Sequence, residues 1–434
     1  MRILFASEYY PPFAPGGGEW TIAAWAAALA RRGHEVTVVT PNYGPAPLPE
    51  SPPGVTVVRV PFPISVPPGA QREARWFVHR NPFFYLYFAW QVARAARRAR
   101  ADLIHAQNKG ALVPAWLAAR ALGHPVVFTV RDAGLICPLA ACTFFESTWN
   151  TFDCSFAQYI NKCVPFFQHE YVRSRGVLHG MRLWTSLRLS WLDNRFRQAA
   201  LKRVDGVIGV SRGILEIHPQ RLVDGGRDRV VYSPPPTVRE PSAEAAAAER
   251  KALEIGDAPL VLYAGKLSLG KGTTVLVNSF AAIRRAVPSV RFVFAGKGDG
   301  FRLPIADDVQ ALGSIPQLRL FALYRAADVV VVPSVWPEPL SRVLIEAMRF
   351  GRAVVATDVG GTREIVDDGV TGLLVPKKNA DALANAITSL LLDPERRARM
   401  GAAAVKRAAR FFDEDQLVAD LLAAYAAAAK RATA

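Results

Sequence analysis

Two glutamates in the stretch WPEPLSRVLIEAMRFG, Glu338 and Glu346, stand eight residues apart. Leu340, Val343, Leu344 and Ala347 recur at helical spacing around them and predict a helix face that can bury. Pro337 and Pro339 suit the residues before a helix and its first turn. One carboxylate is therefore expected at the helix start and the other two turns inside it. Backbone N–H groups of Leu340, Ser341, Arg342 and Val343 would point out of the helix N-terminus, where phosphate or hydroxyl oxygens are held. A carboxylate can accept hydrogen bonds from two neighbouring hydroxyls, as a ribose or a sugar offers. The plainer alternative is a solvated glutamate followed by a helix-favouring one.

Three further stretches place charge or flexible backbone at the ends of expected strands. In YAGKLSLGKGTTVLVNSF a strand ends at Gly265, and Lys266 and Lys271 flank a short loop before a helix. Two ammonium groups on such a loop can face the two phosphates of a pyrophosphate; otherwise they are surface lysines in a solvated turn. The loop is not a P-loop, because Gly272 stands where that motif needs Ser or Thr. In PPFAPGGGEW, Gly16, Gly17 and Gly18 follow the first strand and let backbone approach a ligand at the start of a helix. In VGGTREIVDDGVTGLLVP, paired glycines open another helix that carries Glu364. The turn GKGDGF begins with Gly296 and has two glycines of a dinucleotide fingerprint, but Phe301 replaces the third. It also follows the second strand of its domain, so a nicotinamide cofactor is not expected.

The elements that must hold these loops form two series. Short apolar runs alternate with helical patterns from RILFAS to RVVYSPP, and again from PLVLYAGKL through VRFVFAGKG, DVVVVPS and RAVVATDVG to TGLLVP. The proline-rich stretch Ser233 to Pro241 between them cannot be a central strand or a helix interior. The expected fold class is α/β: two Rossmann-like, doubly wound parallel-sheet domains with ligand in the cleft between them. Boundaries are set at residues 1–235 and 236–410, with a helical tail over 411–434 that could pack on either domain. An insert over about 133–175 belongs to the first.

Composition limits the function classes. An apolar fraction of 51% in 434 residues supports two buried cores. No apolar run reaches membrane-span length, and the first residues read as a buried strand rather than a signal peptide. A soluble cytoplasmic protein is the default. The 53 Lys and Arg against 37 Asp and Glu give a formal +16, which favours anionic partners. No helix-turn-helix, zinc-finger or RNA-binding aromatic signature appears, so nucleic acid is not expected. The one Asp-x-Asp spacing, Asp413 and Asp415, lies in the terminal segment, poorly placed to hold a catalytic cation.

Together the four stretches resemble the retaining nucleotide-sugar glycosyltransferases of the GT-B fold, the group 4 family also described as glycosyl transferases group 1. That family carries a G-G loop after its first strand, a basic pair, a G-x-G turn, an E-x(7)-E motif and a G-G-x-x-E loop, all matched here in order. The resemblance implies a metal-independent transferase that moves a sugar from a nucleoside-diphosphate donor to a glycan or lipid-linked acceptor. No cofactor beyond that donor substrate is implied. It assigns Lys266 and Lys271 to the donor diphosphate, with Lys266 standing where arginine is more common. It assigns Glu346 to the ribose, Glu338 to the transferred sugar, and the amides from Leu340 to Val343 to sugar hydroxyls and phosphate. Gly16 and Gly17 match the loop that closes over the diphosphate. Asp132, beside Arg131 where a histidine is frequent, is the candidate base on the acceptor side. His105 reads as a core histidine or a cleft residue. A non-catalytic sugar-nucleotide-binding protein of the same fold is the rival reading.

Two features stay open. All four cysteines, Cys137, Cys142, Cys154 and Cys163, cluster in one aromatic-rich insert. Their spacing fits no common zinc motif; packed thiols, a structural metal or iron–sulfur site, and disulfides are the alternatives. Aromatic residues beside arginines from Trp76 to Arg100, with the Arg-rich stretch Arg173 to Arg203, suit either an anionic membrane at the inner face or helices packed on the first domain.

Overall fold

The computed structural model describes residues 1–14, 17–45, 51–65, 81–139, 155–171, 176–218, 226–234, 240–298, 301–411 and 413–433. The chain divides into two compact units. One comprises Met1–Val210, Ile214–Pro236 and Glu414–Ala434; the other comprises Ser211–Gly213 and Thr237–Asp413.

In the first unit the strands are β1 (Arg2–Ala6), β2 (Glu35–Pro41), β3 (Val55–Val60), β4 (Leu103–Ala106), β5 (Val126–Val130), β6 (Gly206–Gly209) and β7 (Asp228–Val230). They form a parallel sheet in the order β3-β2-β1-β4-β5-β6-β7. Its central strands read as unbroken apolar runs because both faces are covered. The terminal helix Glu414–Ala432 belongs to this unit: Leu417, Leu421 and Tyr425 share a core cluster with Trp25, Leu29 and Ile208. Its first turn is anchored by Glu414 to Arg31 and Arg32 and by Asp415 to Arg32. His105 on β4 is a core histidine, 2.7 Å from the Tyr425 hydroxyl and 2.7 Å from Thr129 Oγ1. Burial holds its pKa well below the usual value, so it is neutral.

The second unit contains β8 (Leu260–Ala264), β9 (Arg291–Ala295), β10 (Val309–Gly313), β11 (Val329–Val332), β12 (Ala353–Thr357) and β13 (Gly372–Val375). Their order is β10-β9-β8-β11-β12-β13, again parallel. Its core gathers Phe280, Ile283, Phe292, Val331, Val355 and Ile387. The two doubly wound parallel sheets expected from the sequence are both present. Strand β10 is an addition to the sequence reading: a half-buried edge strand, VQALG, with no apolar run to announce it.

The topology also locates a site. In the second sheet β8 and β11 are neighbours, while the chain winds from β8 toward β10 and from β11 toward β13. The loops that leave these two strands diverge at their carboxyl ends, and ligands bind doubly wound sheets in that crevice. Lys266 and Lys271 follow β8, and Glu338 follows β11.

Candidate functional site

The loop after β8 is pinned close to the loop after β11. The N–H groups of Val335 and Trp336 both donate to the Gly270 carbonyl, at 2.9 and 3.0 Å. Gly272 opens the following helix, Thr273–Ala286, with φ 71°. A side chain there would put its Cβ 1.7 Å from the Pro333 carbonyl oxygen, so only glycine permits this approach. On the other side, Gly296 has φ 149° and would bring a Cβ within 1.9 Å of the Gly265 oxygen. The GKG turn therefore serves close packing of the β8 and β9 loops. The paired-glycine loop after β12 closes on the same place, with Gly361 N–H donating to the Glu338 carbonyl at 2.8 Å.

That packing brings Lys271 and Glu338 together. Lys271 Nζ lies 2.8 Å from each oxygen of the Glu338 carboxylate. Trp336 Nε1 donates to Glu338 Oε2 at 2.7 Å, and Ser334 Oγ donates to the same oxygen at 3.0 Å. The ammonium also sits 4.6 Å from the centre of the Trp336 ring, a cation–π contact. Glu338 is only 6% exposed. Burial pushes its pKa up, but the Lys271 ammonium and the Trp336 and Ser334 donors outweigh burial and hold it below the ordinary carboxylate range. It is a buried, ionised carboxylate. Lys266 is exposed, and no carboxylate pairs with its side chain among the described residues.

Downstream, the helix runs from Arg342 to Arg349, with Ser341 as its N-cap and Ser341 Oγ accepting from Leu344 N–H at 3.4 Å. This corrects the placement of the prolines: Pro337 and Pro339 both lie in the loop, outside the first turn. Leu340 and Val343 are half-buried, while Leu344 to Met348 are all buried, so the helix is embedded on more than one face. Arg342 and Val343 occupy the first turn, where N–H groups have no carbonyl one turn back. Glu346 is 3% exposed and pairs with Arg342 Nη2 at 3.0 Å, with the buried Tyr324 hydroxyl nearby. For Glu346 burial outweighs Arg342, and the pKa is raised.

In the first unit, β1 and β4 are the neighbours from which the chain winds apart. Gly16 lies outside the described residues. Gly17 begins the helix Gly17–Arg31, and Gly18 follows in its first turn, where a Cβ would stand 3.6 Å from Arg131 Cδ. Arg131 donates to the Gln107 carbonyl at 3.0 Å and to Gln107 Oε1 at 2.7 Å, and burial lowers its pKa to about 10. Asp132 caps the 3-10 turn Ala133–Leu135, accepting from Gly134 N–H at 2.7 Å, and pairs with Lys109 at 3.3 Å. Desolvation pushes Asp132 up, but Lys109 and the Gly134 amide more than offset it and the pKa is lowered.

Cys142, Cys154, Trp76 and Arg173 fall outside the described residues. Cys137 and Cys163 join an apolar cluster with Leu139, Tyr159 and Leu187. Among the described residues no three His, Cys, Asp or Glu side chains are grouped to hold a metal ion. No described helix is long and apolar enough to cross a membrane. Sequence reasoning missed the supports of the site. Trp336 and Ser334 fix Glu338, Tyr324 sits beside Glu346, and Lys109 holds Asp132. Trp336 stood in the first stretch quoted, and its ring beside a glutamate was the available signal.

Comparison with known proteins follows the same division. Residues 16–236 match the family described as glycosyl transferase 4-like domain, and residues 246–407 match glycosyl transferases group 1. The D-inositol 3-phosphate glycosyltransferase of Xylanimonas cellulosilytica is 38% identical over 222 residues, covering 48% of this chain and 52% of that protein. The chain thus spans about half the length of that relative. The alpha-maltose-1-phosphate synthase of Mycolicibacterium smegmatis is 32% identical over 292 residues, 59% of this chain and 72% of that one. In fold, Anabaena Alr3699/HepE, solved in complex with UDP, superposes with a TM-score of 0.66 at 20% identity, covering 98% and 100% of the two chains. With both of its domains matched in order, the chain belongs to the group 1 glycosyltransferases of the GT-B fold.

Proposed function

We propose that this protein is a retaining, metal-independent glycosyltransferase. It moves a sugar from a nucleoside-diphosphate sugar to a glycan or lipid-linked acceptor, in polysaccharide biosynthesis at the cytoplasmic face of a membrane that it contacts peripherally. The observation that carries the reading is Lys271, held beside Glu338 at the switch point between β8 and β11, with exposed Lys266 on the same loop. A structure similar in fold was solved with UDP-glucose, which supports a sugar nucleotide as donor.

On this reading the donor diphosphate takes the place opposite Lys271 and Lys266. The bond between the sugar C1 and the phosphate oxygen breaks, and its electron pair moves to the diphosphate. Both ammonium groups and the Arg342 and Val343 amides stabilise that charge as it develops. The acceptor hydroxyl attacks C1 from the face being vacated, and its proton passes to the departing phosphate oxygen. Asp132, with its lowered pKa, is a weak proton acceptor, so its ionised carboxylate suits orienting an acceptor hydroxyl. On this reading the donor needs no cation from the Asp-x-Asp spacing of Asp413 and Asp415, and Asp415 pairs with Arg32 at the start of the terminal helix.

Glu346 supplies the test. Its role is to accept hydrogen bonds from the ribose diol, a contact equal in ground and transition states. Glu346→Gln should raise donor KM by roughly 10-fold or more, the scale of a hydrogen bond to a charged group, with kcat nearly unchanged. The same change should affect stability with a definite sign. A group whose folded pKa is raised gives its full contribution below the unfolded pKa and loses it as pH rises through the folded value. The neutral amide avoids that loss, so the variant should melt higher than the native protein at about pH 8 and not at about pH 4. Steady-state kinetics and thermal unfolding check both; a collapse of kcat at unchanged donor KM would reject the ribose assignment.

A further inference from the structure

The helix Pro82–Arg98 turns Phe84, Tyr85, Phe88 and Val92 inward and leaves three large apolar side chains in solvent. Phe83 is 85% exposed, Leu86 65% and Trp90 57%. At about 100° per residue these three fall with Arg94 and Arg97 in one sector about 80° wide. Along the axis the apolar residues come first and the arginines follow. Arg94 lies 5.6 Å from the centre of the Trp90 ring. Single exposed apolar residues need no explanation, but a continuous apolar stripe that ends in cations does.

Beside the basic half of this helix, over strands β1 to β3 of the same unit, lies a cavity of about 720 Å³. Arg2, Arg59, Arg94 and Arg98 line it, with Glu35. Arg2 is matched by Asp102. Arg59 is held by its Nη2, which donates to the Pro11 carbonyl, while no carboxylate pairs with Arg94 or Arg98 among the described residues. Guanidinium forks in that condition suit phosphate oxygens. A second long helix of the same unit, Gly176–Leu201, repeats the composition. It exposes Leu189, Leu192 and Phe196, and Arg188 stacks 3.1 Å from the Trp184 ring centre.

We propose that the outer face of the Pro82–Arg98 helix docks on an anionic phospholipid bilayer. Phe83, Leu86 and Trp90 enter the boundary between headgroups and acyl chains. Arg94 and Arg97 stand at the level of the phosphates, and Arg94 and Arg98 hold a headgroup phosphate at the cavity they line. The excess of 53 basic over 37 acidic residues gives the long-range attraction. This deepens the membrane contact of the proposed function by naming its surface, and it holds whether or not sugar is transferred.

The test uses the full chain and sedimentation with vesicles, either phosphatidylcholine alone or with about a third phosphatidylglycerol. Capture by the anionic vesicles, falling as salt rises, is expected. Arg94→Gln, Arg97→Gln and Arg98→Gln together should weaken it by roughly 100-fold, at a factor of roughly five per cation. Leu86→Ser with Trp90→Ser should weaken it by roughly 10-fold at low and high salt alike. Leu392→Ser, an exposed apolar residue of the other unit, should change nothing. Equal capture by both vesicle types, or capture unaffected by the arginine and Trp90 changes, overturns the proposal. So does complete competition by free glycerol phosphate, which would mark a soluble-phosphate site, or binding of duplex DNA in place of vesicles. Nucleoside-diphosphate release in solution, measured on the same variants, should match the native protein. Vesicle capture without any such release would sink the transfer reading and leave the docking face standing.

Discussion

Lys271→Ala should lower kcat by roughly 100-fold or more, the usual scale for removing one preorganised electrostatic contact. In the structure Lys271 is already aimed: both Glu338 oxygens lie 2.8 Å from its Nζ, and the Trp336 ring covers one side. Donor binding brings the diphosphate to an ammonium already fixed in place, so nothing need move at the moment of reaction. The substitution also leaves Glu338 buried with only Trp336 and Ser334 as side-chain donors. Burial raises the Glu338 pKa, and that ammonium is the chief influence holding it low. A carboxylate with a lowered folded pKa contributes stability above its unfolded pKa and loses it as pH falls through the folded value. Lys271→Ala should therefore cost stability at neutral pH and little in acid. Lys271→Arg keeps the charge and should recover part of kcat and most of the stability. Turnover of Lys271→Ala within a few-fold of the native enzyme, with its fold intact, contradicts the role.

Asp193→Ala should destabilise the first unit by about 3 kcal/mol, the lower end of the scale for breaking a buried ion pair, since Glu8 still attracts the Arg197 cation. Arg197 is 2% exposed, and its Nε lies 3.0 Å from Asp193 and 3.1 Å from the Tyr85 hydroxyl. Burial disfavours the guanidinium, yet Tyr85 and Asp193 keep its pKa raised. Without Asp193 the cation keeps Tyr85 and the attraction of Glu8 but loses the carboxylate 3.0 Å from its Nε. Asp193→Ala combined with Arg197→Met removes this pair and should recover part of the loss, the remainder being the attraction between Arg197 and Glu8. Denaturant unfolding of the two variants checks this; a single-variant loss below about 1 kcal/mol, a surface-pair value, means the pair is effectively solvated.

The same pair marks where sequence reading reached its limit. The stretch Arg173 to Arg203 looks like a basic, solvated face, and Arg195 and Arg203 are indeed exposed. Arg197 differs because Tyr85 reaches it from 112 residues away, and no local pattern carries such a contact. Strands were legible where both faces are buried, as in β8 and β11, since burial on two sides demands consecutive apolar residues. The half-buried edge strand β10 has no such demand. At the site, the residue types and their order along the chain were legible, and so was the helix after Glu338. The ion pair between Lys271 and Glu338 was not, because 67 residues separate them and only the β8–β11 adjacency joins them. Composition put the aromatic and basic residues in the Pro82–Arg98 helix; only the exposures of Phe83 and Trp90 separate a docking face from a packed one.

The central claim is that this chain transfers sugar from a nucleoside-diphosphate donor with its own cations and with retention at C1. The most direct measurement follows the anomeric proton signals by NMR during turnover of a panel of sugar nucleotides, with EDTA present throughout. At least one donor should be consumed under chelation, nucleoside diphosphate should appear with it, and the first product should keep the donor's anomeric configuration. Turnover abolished by EDTA and restored by Mg²⁺ or Mn²⁺, or a first product of inverted configuration, would contradict that claim.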